Sequence, residues 1–235
     1  MVNSKYLLLK VFLCLLSMLP NIAAYAGASD WKALNDQVMP QLQSGAFKQA
    51  EQLARDAMAE AEKSFGAAHQ NTAISLSNLA LVLRIQKRFE ESERYYRRSL
   101  AIRDKVLGAA HPATALTMLN LADVLQAQKK YVEAEKLQRT VLPIFEKVHG
   151  DDPKTATALN NLGANLQVQT RYKEAEPYLR RALAMKEKTL GPMNPSIAHT
   201  LNNLAEVCEA LGRKDEAAKH RARAVAIQKQ ASAKA

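Results

Sequence analysis

The chain has 235 residues and a formal net charge of +10, and 48% of its residues are hydrophobic but only 6% aromatic. That is enough apolar material for a folded core and too little charge imbalance for disorder. Abundant Ala, Leu, Glu, Lys, Gln and Arg, few glycines and prolines, and no alternating apolar run favour helix and exclude a sheet protein.

The first element is a segment apart. Lys5 gives a short positive region, Leu7 to Leu19 is apolar apart from Lys10, and Pro20 precedes Ala24-Tyr25-Ala26. This order matches a secretory signal peptide of residues 1–26, cut after Ala26. Export then places residues 27–235 in the periplasm or outside the cell; the alternative is an uncleaved anchor in the membrane. The apolar run is short for a bilayer span, and Lys10 shortens it further. Cys14 lacks the small residues that precede a lipoprotein cysteine. Cleavage removes Lys5 and Lys10, leaving a charge of +8, and leaves Cys208 as the single thiol. With no internal disulfide available, stability must come from packing. Cys208 falls at a core position, where a buried, inert thiol is expected.

From residue 30 onward the chain repeats itself. An Asn-Leu pair recurs at Asn78, Asn120, Asn161 and Asn203, at intervals of 42, 41 and 42 residues. Phe47, Phe89, Tyr131 and Tyr172 keep the same beat, degraded to Lys214, and each is followed three residues on by Ala50, Ser92, Ala134, Ala175 or Ala217. Gly66, Gly108, Gly150 and Gly191 form a third marker. Between Gly108 and Tyr131, apolar residues at Leu116, Leu119, Val124 and Leu125 have helical spacing. Pro112, Pro153 and Pro195 stand at helix starts, where a missing N–H costs nothing, and the glycines suit left-handed caps after each second helix. The spacing predicts helix pairs near 30–65, 70–107, 112–148, 153–190 and 195–231. One pair cannot bury its apolar face alone, so pairs must stack, and small residues (Ala80, Ala122, Gly163 and Ala205 on first helices) allow close approach. The turn aromatics should wedge between pairs.

These residues resemble the tetratricopeptide repeat (TPR), whose unit is about 34 residues. The longer unit here is similar to the kinesin light chain class, on Thr157-Ala158-Leu159-Asn160-Asn161-Leu162, Tyr172-Lys173-Glu174-Ala175-Glu176-Pro177, Arg181-Ala182-Leu183 and Lys188-Thr189-Leu190-Gly191-Pro192. The roughly eight extra residues would lengthen the second helix by about two turns. The resemblance covers residues 31–231 and implies an all-α, right-handed superhelical solenoid of about five antiparallel helix pairs. There are three departures. Pro40 should kink or fray the first helix, Pro143 should bend a later one, and a polar last helix, with Lys214 at the turn and His220 and Arg221 where Tyr95 and Tyr96 stand earlier, should cap the array.

The resemblance also implies an inner groove lined by first helices. Its positions read Ile74, Ser77, Asn78 and Leu81, then Leu116, Leu119, Asn120 and Asp123. The next units read Thr157, Asn160, Asn161 and Ala164, then His199, Asn202, Asn203 and Glu206, with Arg84, Gln126, Gln167 and Glu209 a turn further on. An asparagine amide offers donors and an acceptor that match a peptide bond, so the ladder could hold an extended backbone with flanking residues adding selectivity. The competing role is hydrogen bonding to the neighbouring repeat. Asn160 and Asn202 are harder to assign to that role and favour binding.

No nucleotide loop, zinc helix or calcium loop is present, no serine carries a nucleophile signature, and no catalytic residue, metal or cofactor is implied. His69 and His111 occupy equivalent turn positions and read as helix caps. The carboxylates Glu133, Glu135, Glu174 and Glu176 track the repeat, so they are solvated or packing groups. Arg94, Arg97, Arg98, Arg180 and Arg181 lie on second helices and read as solvated faces with helix ion pairs; no nucleic-acid motif accompanies them, although weak contact with an anionic membrane surface would fit their charge. The function implied is an exported, non-catalytic protein-interaction adaptor that binds a peptide in its groove, with no small-molecule substrate. The alternative is a structural scaffold, or a component of a cell-envelope assembly that self-associates through its open first pair.

Overall fold

The computed structural model describes residues 28–233; the expected export segment, with Lys5, Lys10 and Cys14, lies outside them. The fold is all-α, with no strand among the described residues and five consecutive helix pairs, as the repeat spacing predicts. The helices are α1 (28–43), α2 (Phe47–Phe65), α3 (Gln70–Ile85), α4 (Phe89–Leu107), α5 (Pro112–Ala127), α6 (Tyr131–His149), α7 (Pro153–Val168), α8 (Tyr172–Leu190), α9 (Ser196–Ala210) and α10 (Lys214–Ser232). From α2 to α10 the second helix of each pair has 19 residues and the first 15 or 16, so the second is the longer. No helix among the described residues is long and apolar enough to cross a membrane.

The chain divides into two compact units at Val106. In the first, Val38 and Leu42 of α1, Ala50 and Ala54 of α2, and Leu79, Val82 and Leu83 of α3 form one buried cluster, and Ile102 of α4 packs on Ala73 and Leu76. The single tryptophan fastens α1 to this unit: Trp31 Nε1 donates to Ser75 Oγ at 2.7 Å, and its ring meets Phe65 edge-on at 5.7 Å. In the second unit each helix packs on the next, from α5 to α10.

Helix starts follow local chemistry. His69 Nδ1, His111 Nδ1, Asp152 Oδ1 and Asn194 Oδ1 each accept a backbone N–H two residues on, from Asn71, Ala113, Lys154 and Ser196, at 2.7–3.1 Å. These are N-caps at one recurring position, and the capping role of the two histidines is therefore as expected.

The helix ends meet expectation in part: Gly66, Gly108, Gly150 and Gly191 all have positive φ. The left-handed residues sit inside each pair, at Lys87 (φ 62°), Lys129 (φ 62°), Thr170 (φ 60°) and Gly212 (φ 81°). There the next N–H reaches back to close the first helix, as in Arg88 N to Leu83 O and Arg171 N to Leu166 O, both 2.9 Å. Between pairs Gly66 and Gly191 also have positive φ, but with ψ of 158° and 153°, a conformation open essentially to glycine alone. Tertiary closure of each pair outweighs the cost of holding Lys87, Lys129 and Thr170 left-handed. Three prolines stand inside helices. Pro40, Pro143 and Pro177 each lie within a continuous helix. All three are exposed, so water can satisfy the carbonyl that loses its partner.

The small residues are where close approach demands them. Ala50, Ala134, Ala175, Ala217, Ala80, Ala122 and Ala205 are fully buried. The turn aromatics wedge only in part, and Phe47 is exposed. Gly163 shows the tightness: a Cβ built there would lie 2.6 Å from Leu179 Cγ and 3.3 Å from the Ala175 carbonyl oxygen. Leu179 is itself fully buried and has nowhere to go. Gly163→Ala should therefore destabilise the protein despite the helix-propensity gain of about 1 kcal/mol. Overpacking costs about 1–3 kcal/mol, so a net loss near 1 kcal/mol is expected by chemical denaturation, with recovery of part of it in the Gly163→Ala, Leu179→Ala double variant. A Gly163→Ala protein more stable than the parent would refute the tight contact.

Candidate functional site

The groove positions lie on α3, α5, α7 and α9, and helical spacing brings each set of four to one face. In the first unit, Asn78 Nδ2 donates to Asn35 Oδ1 of α1 at 2.8 Å. Ser77 Oγ is 2.8 Å from Ser99 Oγ, which donates to the Ala73 carbonyl at 2.7 Å, so Ser77 turns toward α4. Leu81 packs on the unit's core cluster, and Arg84 is half-buried on the same helix.

In the second unit, α7 touches both α5 and α9, which puts their amides side by side. Asn161 Nδ2 donates to Asp123 Oδ1 at 3.0 Å. Asn160 Oδ1 accepts from Thr200 Oγ1 at 2.9 Å and from Asn203 Nδ2 at a long 3.4 Å. Gln167 Nε2 donates to Glu206, and Gln126 Oε1 accepts from the buried Gln138 at 3.1 Å. Asn120 and Asn202 are half-buried, while His199 and Glu206 are exposed. The amide ladder thus spends part of its capacity on the neighbouring repeat. Asn160, expected to be hard to place structurally, accepts bonds from α9 and has a clear structural role.

Several participants were not evident in the sequence. Asn35 is the first rung, 43 residues before Asn78, but Asp36 follows it where leucine follows the others. Lys186 of α8 is buried, and its Nζ donates to Thr200 Oγ1 at 3.0 Å and the Ser196 carbonyl at 3.2 Å. Burial pushes its pKa down. The chain Lys186–Thr200–Asn160 therefore ties the second helix of one pair to the amide face. A second buried relay runs from Gln126 through Gln138 to Asn165, whose Nδ2 also donates to the Tyr131 carbonyl at 3.0 Å.

The second helices carry an ionic clamp on the same beat. Glu51 accepts from Arg55 and Arg88, Glu135 from Arg139 and Arg171, and Glu176 from Arg180 and Arg213, at 2.6–2.8 Å. In each case one arginine is a turn away and the other lies in the next pair. Burial alone would raise these carboxyl pKa values, but the guanidinium hydrogen bonds outweigh it and hold all three below the ordinary carboxylate value.

The tetratricopeptide repeat model matches residues 41–105, 73–147, 113–188 and 154–230, which together span most of the chain. This chain belongs to the tetratricopeptide repeat family. Solved structures agree on the fold. Kinesin light chain-type, nearly identical TPR-like repeats from Podosopora anserina share 24% identity at a TM-score of 0.73, covering 86% of this chain and 97% of that one. BtubC (BKLC) of P. vanneervenii shares 20% identity at a TM-score of 0.74, covering 91% and 92%. The apo form of RapI shares 18% at 0.75, covering 87% of this chain and 72% of that one. No curated protein matches in sequence. TPR arrays are protein–protein interaction scaffolds and generally non-catalytic, so proteins are the partner class that the fold implies.

The clamp makes stability depend on pH. A carboxyl held low in the folded state contributes its full stabilisation above the unfolded value, near 4.5, and loses it as pH falls through the lower folded value. Glu135→Gln should cost about 1–2 kcal/mol at pH 7, discounted because both arginines stay part-exposed. Its stability should also fall less than the parent's between pH 5 and pH 3. Equal acid sensitivity in urea titrations of the two proteins would show that Glu135 is not a linkage group.

Proposed function

We propose that this chain is an exported, non-catalytic adaptor that binds an extended peptide segment on the face of α5, α7 and α9. The observation that carries this reading is the state of Asn161. One of its N–H groups is committed to Asp123, which fixes the amide plane, while its carbonyl oxygen and second N–H remain for a ligand. An amide held in place by its neighbour loses little entropy when it meets a peptide bond, and preorganisation of this kind favours affinity. Asn203 donates to Asn160 through a longer bond of 3.4 Å, which orients it more loosely. Thr157, His199 and Glu206 are exposed beside these amides and would contact peptide side chains.

The rival reading is a scaffold that self-associates through its first pair. It rests on Met39 and Phe47, two exposed apolar residues of that pair. Light scattering over a concentration series separates the two, because self-association predicts a rising mass.

Peptides selected from a random display library against residues 27–235 should lose at least about tenfold in affinity, near 1.4 kcal/mol, on Asn161→Ala with Asn203→Ala. The double variant should keep its helical circular dichroism, each lost inter-repeat bond costing about 1 kcal/mol of stability. Selected peptides that bind parent and variant alike would remove the amides from the site.

Export is tested separately. Protein recovered from the envelope fraction of a bacterial host should begin at Gly27 by N-terminal sequencing. Chains that still begin at Met1 would replace the cleaved signal with an anchor or a cytoplasmic protein.

A further inference from the structure

The last pair departs from the repeat at two positions that face one another. Leu83, Leu125 and Leu166 hold the position that Cys208 takes in α9. Tyr95, Leu137 and Tyr178 hold the position that His220 takes in α10. Between them stands Glu216, one turn before His220, at a position that is glutamate in the three preceding pairs (Glu91, Glu133 and Glu174) and Gln49 in the first. In earlier pairs the tyrosine hydroxyl meets an arginine of the preceding pair: Tyr95 accepts from Arg55 at 3.4 Å and Tyr178 from Arg139 at 3.2 Å. His220 does not take over this contact, and its buried Nε2 has no hydrogen-bond partner among the described residues.

We propose that Cys208, Glu216 and His220 form a binding site for a thiophilic divalent cation of the zinc class, which pins the capping helix α10 to α9. The thiol sulfur, one carboxylate oxygen and one imidazole nitrogen all lie within 4.8 Å of one another, and His220 Nε2 is 3.6 Å from Glu216 Oε1. Zinc bonds of about 2.0–2.3 Å to nitrogen, oxygen and sulfur need these atoms closer by a fraction of that separation, which side-chain torsions alone can supply. Sulfur, nitrogen and oxygen together suit zinc, whereas calcium and magnesium take oxygen alone. Cys208 is fully buried against the small side chains of Ala205 and Ala217, so the cluster has a dry floor. Glu216 and His220 keep an exposed edge, 33% and 16% of their side chains, which admits the ion and leaves a fourth position for water.

Three arginines stand nearby and would oppose a cation. All are balanced: Arg180 pairs with Glu176 and Glu216, Arg213 with Glu176 at 2.6 Å and Glu216 at 3.4 Å, and Arg223 with Glu187. A carboxylate accepts at about four sites, so Glu216 can hold both of its guanidiniums and the metal at once. The metal replaces the thiol proton, which leaves to solvent, and the thiolate supplies the negative charge that the cation meets.

The repeat itself supplies the control variants. Cys208→Leu and His220→Tyr install side chains that the earlier pairs already accommodate, so both should fold. Reduced protein of residues 27–235 titrated with Co²⁺ should show one equivalent bound, with a thiolate-to-cobalt charge-transfer band in the near ultraviolet. Zn²⁺ should displace the cobalt and raise the Tm. Cys208→Leu should lose the band and the Tm shift. His220→Tyr should weaken cobalt binding by more than the roughly 10–100-fold that loss of an outer-shell partner costs. Absence of the band at millimolar cobalt, a zinc-induced Tm rise undiminished in Cys208→Leu, or binding unchanged in His220→Tyr would each overturn the site.

Discussion

Close approach of helix to helix, at positions that only alanine, serine or glycine can fill, is the constraint on which the rest of the structure depends. Ala50, Ala134, Ala175 and Ala217 sit fully buried at the same register position of their helices. Gly163 shows the limit of that spacing, because even one added carbon would collide with Leu179. Interiors this dense transmit position. Once the second helix of a pair is seated against small residues, the next first helix has one place to go, and its side chains meet those of its predecessor in fixed register.

That register decides what the amides do. Asn78 meets Asn35, Asn161 meets Asp123 and Asn203 meets Asn160. The roles of stacking and binding, which look exclusive in the sequence, are compatible in one side chain. An amide has more than one hydrogen-bonding group, and committing one to the neighbouring repeat orients the others. Buried partners extend the same logic inward. Lys186 pairs with no carboxylate among the described residues, yet it is seated by Thr200 and the Ser196 carbonyl, so its burial is compensated by hydrogen bonds.

The fold was legible because packing writes itself as period: three markers on one beat of about 42 residues located every hairpin. What was not legible depended on partners in the next repeat or on backbone shape. Nothing in the residue type of Lys87, Lys129 or Thr170 announces positive φ; the bond that closes the first helix demands it, and glycine appears only at Gly45 and Gly212 in the equivalent turns. Pro40, Pro143 and Pro177 each stand inside a helix that continues past them, and all three are exposed. Asn160 read as a binding residue because its acceptor role is visible only when Thr200 of the following pair is beside it. The ionic clamp was half visible. The four-residue pairs such as Glu135 with Arg139 follow from helix geometry, but the third member, Arg171, comes from the next hairpin.

Charge distribution bears on which partners the amide face could hold. The chain carries an excess of ten positive charges, which by itself would suggest a polyanion. In the second unit that excess is not on the first helices. Along α5, α7 and α9 the charged residues are Asp123, Glu206 and Glu209 against Lys154 alone. The basic residues crowd α6, α8 and α10, and many are already spoken for: Arg139 by Glu135, Arg180 by Glu176 and Glu216, Arg181 by Glu146, Arg223 by Glu187 and Lys188 by Asp151. A polyanion on that surface would have to displace carboxylates that also hold successive hairpins together. An extended peptide on the first helices would meet amides already fixed in place, and the exposed Glu206 would favour lysine or arginine in its sequence, whereas Glu209 is already paired with Arg221.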